Sequence, residues 1–319
     1  MIFEKQVVNI YRGMMHSRCD DTETVFYFSP SDFPGLNFKP YSFVSSLGDN
    51  LKGYIYWYEN AMPGKLVVFD HGFGGGHRAY MKEIEKLAKH GYVVYSYDHT
   101  GCMESEGESP RGLAQSLADL NDCISAIKSD TRFQGFDISV MGHSWGAFST
   151  LNITALHPEI SHIVAISGFV SVTEMIKTFF SGFRRVYRKA ILNLEKSVNP
   201  KFSEFSAVNS LLDSTTKALL IYSDNDKMCR IAHYKILQKA LSDKENVSFI
   251  LENGKGHNPN YTEEAVKLLG EFGKARGELL RKKNLTEEEK RNFVASFDFD
   301  KMTEQDEDLW NKIFEHLES

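Results

Sequence analysis

The apolar residues of this chain fall into two alternating patterns. Short unbroken runs such as Leu66-Val67-Val68-Phe69 suit strands buried on both faces of a parallel sheet. After that run Tyr80, Met81, Ile84, Leu87 and Ala88 recur at helical spacing, Gly91 ends the helix, and Tyr92 to Tyr97 reads as the next strand. The rhythm continues through a helix at Leu113 to Ile127, a strand at Ile138 to Met141 and a helix at Ala147 to Leu156. Further strands follow at Ile163 to Ile166, Ala218 to Tyr222 and Val247 to Leu251. Such alternation predicts an α/β fold: a mostly parallel, doubly wound sheet with helices on both faces.

Three segments depart from that rhythm. Val25 to Phe28, Tyr41 to Ser46 and Gly53 to Tyr58 are β-branched and aromatic around Gly48-Asp49-Asn50, so the first sixty residues read as β-rich, with an antiparallel hairpin over Tyr41 to Tyr58. Between Gly168 and Leu212 no buried strand is apparent; Phe179, Phe180, Phe183 and Tyr187 stand beside Arg184, Arg185, Arg188 and Lys189. That stretch is expected to be a helical cap, residues 168–212, inserted into a core of residues 1–167 plus 213–319. Beyond Thr262 the chain reads as charged helix, with a capping box at Thr286 to Glu289 and another start at Thr303. Leu309, Ile313, Phe314 and Leu317 form an apolar stripe expected to dock on the core.

Composition narrows the functional classes. The 319 residues, 42% hydrophobic and 25% charged, are those of an ordinary globular chain. Lys plus Arg at 37 against Asp plus Glu at 43 leaves a net charge of −6, so the basic excess of a nucleic-acid partner is missing. Met1 to Val8 has no apolar segment of signal-peptide type, and no run of about 18 uncharged apolar residues follows. Neither a secretory signal nor an integral membrane segment is expected. The cysteines, Cys19, Cys102, Cys123 and Cys229, are scattered without CxxC or nearby histidines, which reads as reduced structural thiols, no metal framework and a cytoplasmic location.

Chemistry concentrates at Gly142-His143-Ser144-Trp145-Gly146, a G-x-S-x-G between a strand and a helix. A serine hydroxyl becomes a nucleophile when it is exposed and a base takes its proton; a tight strand-to-helix turn does the exposing. Downstream, strand Ala218 to Tyr222 runs into Ser223-Asp224-Asn225-Asp226, and Gly254-Lys255-Gly256 leads into His257. The order Ser, acid, His is that of a triad on such a sheet. Both Asp224 and Asp226 are available for the acid, with Asp226 favoured because it lies further past the strand. The glycines of Asp70-His71-Gly72-Phe73-Gly74-Gly75-Gly76 let backbone N–H groups face a ligand. With neither GxxxxGK[ST] nor GxGxxG present, that loop reads as an oxyanion hole, its donors the N–H groups of Phe73 and Trp145.

From about Tyr41 to His257 these motifs, with Asp98-His99-Thr100-Gly101 through Ser105 and Gly107, resemble the α/β-hydrolase family. The layout is most similar to its lysophospholipase, monoacylglycerol lipase and serine aminopeptidase group, although Ser223 stands where that family has Gly. The resemblance implies a helical cap, a nucleophile elbow at Ser144, a Ser144–Asp226–His257 triad, and hydrolysis of an ester, thioester or amide without metal or organic cofactor. The expected activity is that of a lipase-like serine esterase acting on a small-molecule acyl substrate. A serine aminopeptidase with the same triad, since Trp also follows the serine in prolyl aminopeptidases, and a silent ligand-binding protein on the same fold are the alternatives. The cap should shape the pocket, with Phe179, Phe183 and Arg184 as candidate substrate contacts.

Overall fold

The computed structural model describes residues 3–20 and 23–319. Its strands are β1 (Asn37–Val44), β2 (Asn50–Trp57), β3 (Lys65–Asp70), β4 (Val93–Tyr97), β5 (Asp137–His143), β6 (His162–Ile166), β7 (Lys217–Ser223) and β8 (Val247–Glu252). They form one sheet in the order β1-β2-β4-β3-β5-β6-β7-β8. The β1–β2 hairpin is antiparallel, with Tyr41 opposite Gly53, and β2 pairs antiparallel with β4; every later pairing is parallel.

Side chains of a strand alternate between faces, and here each face has its own core. Leu66 and Val68 of β3, Ile163 and Ala165 of β6, and Leu220 and Tyr222 of β7 join one cluster. Val67, Phe69, Val164, Ile166, Leu219 and Ile221 join the other. The first face is covered by α3 (Gln115–Ser129), α4 (Trp145–Ile153) and α8 (Ala232–Leu241), the second by α2 (Met81–His90) and α12 (Glu307–Leu317). In α12 the predicted stripe of Leu309, Ile313, Phe314 and Leu317, joined by Trp310, is buried in the second cluster. Each such side chain taken from water contributes about 1.5–3 kcal/mol, which accounts for the docking of a helix whose outer face is charged.

Between β6 and β7 the elements are all helical: α5 (Val172–Phe179), α6 (Arg188–Val198) and α7 (Ala207–Leu212), with short 3₁₀ turns at Gly182–Tyr187 and Phe202–Glu204. Among the described residues no helix is long and apolar enough to cross a membrane.

Two expectations are corrected. Val25–Phe28 is not a strand; Phe26 and Phe28 instead pack edge to face, and Phe26 leans on Phe299 in a small aromatic cluster with the C-terminal helices. Ahead of it the chain forms a helix, α1 (Glu4–Met15), which buries Tyr11 and Met15. The last helix starts at Asp306, whose side chain accepts from the Leu309 N–H, and not at Thr303, which closes the short helix α11 (Phe299–Met302). Propensity could not separate these, because an aromatic run serves a strand or a packing cluster equally and a Thr suits either end of a turn. The capping box at Thr286–Glu289 does open α10 (Glu287–Ala295), after α9 (Glu263–Leu279).

Candidate active site

Ser144 links the end of β5 to the start of α4 at φ 56°, ψ −108°. A non-glycine residue there stores about 1–3 kcal/mol of backbone strain. Its neighbours hold it: the Ser144 N–H donates to the Ile166 carbonyl at 2.8 Å, and the Phe148 N–H to the Ser144 carbonyl at 3.1 Å. The flanking glycines are required by space. A Cβ on Gly142 would sit 2.4 Å from the Gly146 carbonyl oxygen, and one on Gly146 would sit 2.0 Å from that of Asp70.

Three side chains from three loops meet at this turn. Ser144 Oγ lies 2.9 Å from His257 Nε2, and His257 Nδ1 lies 2.7 Å from Asp226 Oδ2. The carboxylate faces Nδ1, so that nitrogen carries the proton and Nε2 accepts from the serine hydroxyl. The other oxygen of Asp226 accepts from the Met228 and Cys229 N–H groups at 2.7 and 3.1 Å, which keeps the carboxylate aimed at the ring. Asp224 faces elsewhere: its Oδ1 accepts from the Gly254 N–H at 2.9 Å, while Asn225 Oδ1 accepts from the Gly256 N–H at 2.7 Å. Asp224 and Asn225 thus hold the loop that leads into His257.

His143, the variable residue of the motif, supports the same loop from below. Burial, and after it the neighbouring His257, push its pKa down to about 3, so the ring is neutral. Its Nε2–H donates to the His257 carbonyl at 2.8 Å and its Nδ1 accepts from the Tyr80 hydroxyl at 2.9 Å. The Cys229 thiol lies against Ser144, and burial pushes it well above the usual thiol range. Asp226, Cys229 and His257 each bring a donor atom within 4.8 Å of the others, a set that could hold a soft divalent cation; in the structure Asp226 and His257 pair with each other.

The two residues expected to supply N–H donors, Phe73 and Trp145, lie in the loop after β3 and at the start of α4. Trp145 is the first residue of α4, so its N–H has no acceptor within the helix. His71, which burial keeps neutral at about 3, accepts from the His99 N–H at Nε2 and therefore donates from Nδ1 to the Gly72 carbonyl at 2.7 Å. In a trans peptide the N–H points opposite to the carbonyl, so this bond turns the Phe73 N–H to the other side. The Phe73 ring packs edge-on against Trp145 at 5.2 Å. Beneath lies an ion cluster: His99 sits between Asp70 at 3.1 Å and Asp119 at 3.2 Å. Burial alone would lower the His99 pKa, but the two carboxylates raise it to about 10.

Of the predicted pocket residues, Phe179 is half-buried against the first core cluster. Phe183 is 86% exposed, and Arg184 is exposed too. Sequence reasoning missed Glu195 of α6, a fully buried carboxylate that accepts from the Tyr11 hydroxyl of α1 and from the Leu113 N–H, both at 2.8 Å. The Leu113 carbonyl in turn accepts from the Trp145 indole at 2.8 Å. A helix of the insertion is thereby connected to the residue after the serine, by contacts without any local sequence pattern.

A family model described as serine aminopeptidase, S33, matches residues 61–207. Among curated proteins, human monoglyceride lipase is 25% identical over 178 residues, covering 55% of this chain and 56% of that one. A monoglyceride lipase homolog of monkeypox virus is 31% identical over 102 residues, covering 31% of this chain and 36% of the relative. The chain thus spans about a third to just over half of these relatives' lengths. Among solved structures, an esterase of Pyrococcus furiosus superposes with a TM-score of 0.60 at 20% identity, covering 81% of this chain and 97% of that one. An acetyl xylan esterase from Paenibacillus sp. R4 gives 0.56 at 18% identity, covering 79% and 87%. The sheet order, the strained serine turn and the buried His–Asp pair identify this chain as an α/β-hydrolase-fold protein with the general layout of a serine hydrolase.

Proposed function

We propose that the chain is a serine esterase that cleaves small to medium acyl or lipid-like carboxylic esters through an acyl-enzyme on Ser144. The observation that carries this reading is the line Ser144 Oγ, His257 Nε2, His257 Nδ1, Asp226 Oδ2, with separations of 2.9 and 2.7 Å. In the first half-reaction His257 takes the Ser144 proton while the oxygen attacks the ester carbonyl, and the developing oxyanion accepts from the Phe73 and Trp145 N–H groups. The protonated His257 then gives its proton to the leaving alcohol. In the second half, His257 deprotonates a water that attacks the acyl carbon, and the proton returns to Ser144 as the acid departs. Asp226 keeps the proton on Nδ1 and stabilises the imidazolium. Residues 168–212 act as the cap over a core of 1–167 plus 213–319, with Phe179 on the pocket side.

Relatives named as monoglyceride lipases and neighbours named as esterases favour the ester reading. The description of the matching family model favours a second one, cleavage of an N-terminal peptide bond by the same residues. The test compares p-nitrophenyl acyl esters of increasing chain length with aminoacyl arylamides, using wild type and Ser144→Ala. Ester turnover that disappears in folded Ser144→Ala is expected; preference for arylamides would select the peptidase reading. Fluorophosphonate labelling that persists in Ser144→Ala would sink both.

A further inference from the structure

Cys19 and Cys102 lie far apart in the sequence and side by side in the fold. The Cys19 N–H donates to the Gly101 carbonyl at 3.0 Å and the Met103 N–H to the Cys19 carbonyl at 2.9 Å, so the two cysteines are partners across a parallel bridge. Adjacent strands run about 4.8 Å apart, and disulfides span Cα separations of about 4.4–6.8 Å. Both are free thiols, carried by residues that face each other across this bridge.

We propose that Cys19 and Cys102 form a redox site that is converted to a disulfide by low-molecular-weight disulfides of the glutathione class. Cys19 is half-buried and Cys102 buried, which assigns their order of action. The neighbouring Cys102 thiol holds the Cys19 thiol below its usual range, whereas the Cys19 neighbour and burial hold Cys102 well above it; the thiolate is the attacking species. Cys19 releases its proton and attacks one sulfur of the small disulfide, expelling a first small thiolate. Cys102 then loses its proton as it attacks the Cys19 sulfur and expels a second. Two protein thiols are oxidised to one disulfide, and one small disulfide is reduced to two thiols.

The segment to be tied down is already in place. Arg18 donates to the carbonyls of Gly107, Met103 and Ser105 at 2.7, 2.6 and 2.9 Å, and His16 lies 3.2 Å from Glu195 of α6. A covalent link at Cys19 therefore joins the insertion's anchoring strap to the loop holding His99, with little movement of the backbone. Its main effect is to restrict the unfolded chain, because the loop it closes is long.

The inference goes beyond the esterase reading, and its readouts do not depend on turnover. The reduced full chain would be equilibrated across ratios of oxidised to reduced glutathione, its remaining thiols trapped with N-ethylmaleimide, and the product analysed by intact mass, peptide mapping and thermal melting. Wild type should lose two trappable thiols, yield a Cys19–Cys102 linked peptide, and melt about 5 °C or more higher. Cys19→Ser should show none of these while melting like the reduced wild type, and Cys102→Ala provides a second variant in case a buried hydroxyl is not tolerated. The absence of a linked peptide at every ratio, or glutathione retained on Cys19 alone, would overturn the proposal.

Discussion

Lys255 gives its ammonium to Asp306 at 2.9 Å, and through that pair the C-terminal segment holds the loop that carries His257. The same ammonium donates to the Tyr261 carbonyl at 2.8 Å, so both ends of the loop are gathered around one buried cation. The Asp306 N–H donates to the Asn260 carbonyl at 2.8 Å, and the Asn260 amide reaches Glu83 of α2 at 3.0 Å and Gln305 at 2.9 Å. The histidine is thus placed by its acid partner on one side and by the tail on the other.

Asp306→Asn should loosen this arrangement without touching the reacting atoms. Asp306 is a quarter exposed, so the loss is below the 3–5 kcal/mol of a fully buried pair, about 1–3 kcal/mol. Steady-state kinetics should show kcat falling several-fold with KM little changed, and Asp306→Glu should restore part of it. Equal losses in both variants with an unchanged melting temperature would contradict the positioning role.

Asp226→Asn and Asp224→Asn should differ widely. An asparagine at 226 can still accept from the Met228 and Cys229 N–H groups, but its amide N–H₂ can face His257 Nδ1 and hold the wrong tautomer. A kcat loss of about 10⁴ is expected. At 224 the asparagine oxygen can keep the bond from the Gly254 N–H, so the loss should stay below about tenfold. Parallel kinetics of the two variants decide which carboxylate is the acid.

Gly146→Ala should not yield the native fold, because its Cβ would lie 2.0 Å from a backbone oxygen. Gly277→Ala provides the contrast. Gly277 is in α9 and exposed, and a Cβ there would meet nothing within 4 Å, so the change should stabilise by up to about 1 kcal/mol. Thermal melts of the two variants test both signs.

Alkaline pH should destabilise the protein through His99. A histidine whose folded pKa is raised to about 10 contributes its full stabilisation below the unfolded value of about 6.5, and that contribution is lost as pH rises to about 10. Melting temperatures should therefore fall between pH 7 and 10. Asp119→Asn, which removes one of the two flanking carboxylates, should flatten that fall; an identical slope in the variant would show that another group is responsible.

The elements read from period and turn residues are those whose pattern is local. β3's four apolar residues, the α2 stripe ending at Gly91 and the β5–Ser144–α4 turn each need only their own neighbours in sequence to be recognised. The misread elements are those whose side chains have no local preference to declare. Val25 to Phe28 is aromatic because it packs on Phe299, and α1 exists because Tyr11 and Met15 have a surface to cover.

The same division holds at the site. Sequence order alone marked a strand-to-helix turn at Ser144, a histidine after the last strand and two carboxylates before it, since chain order on a parallel sheet dictates which loops share an end. Tertiary structure separates Asp224 from Asp226, because two carboxylates two residues apart leave the chain in different directions and only Asp226 reaches His257 Nδ1. It also set the neighbours of Glu195 and Lys255 and brought Cys19 beside Cys102. Their partners are distant in the chain, and only a folded sheet brings such groups within hydrogen-bond range.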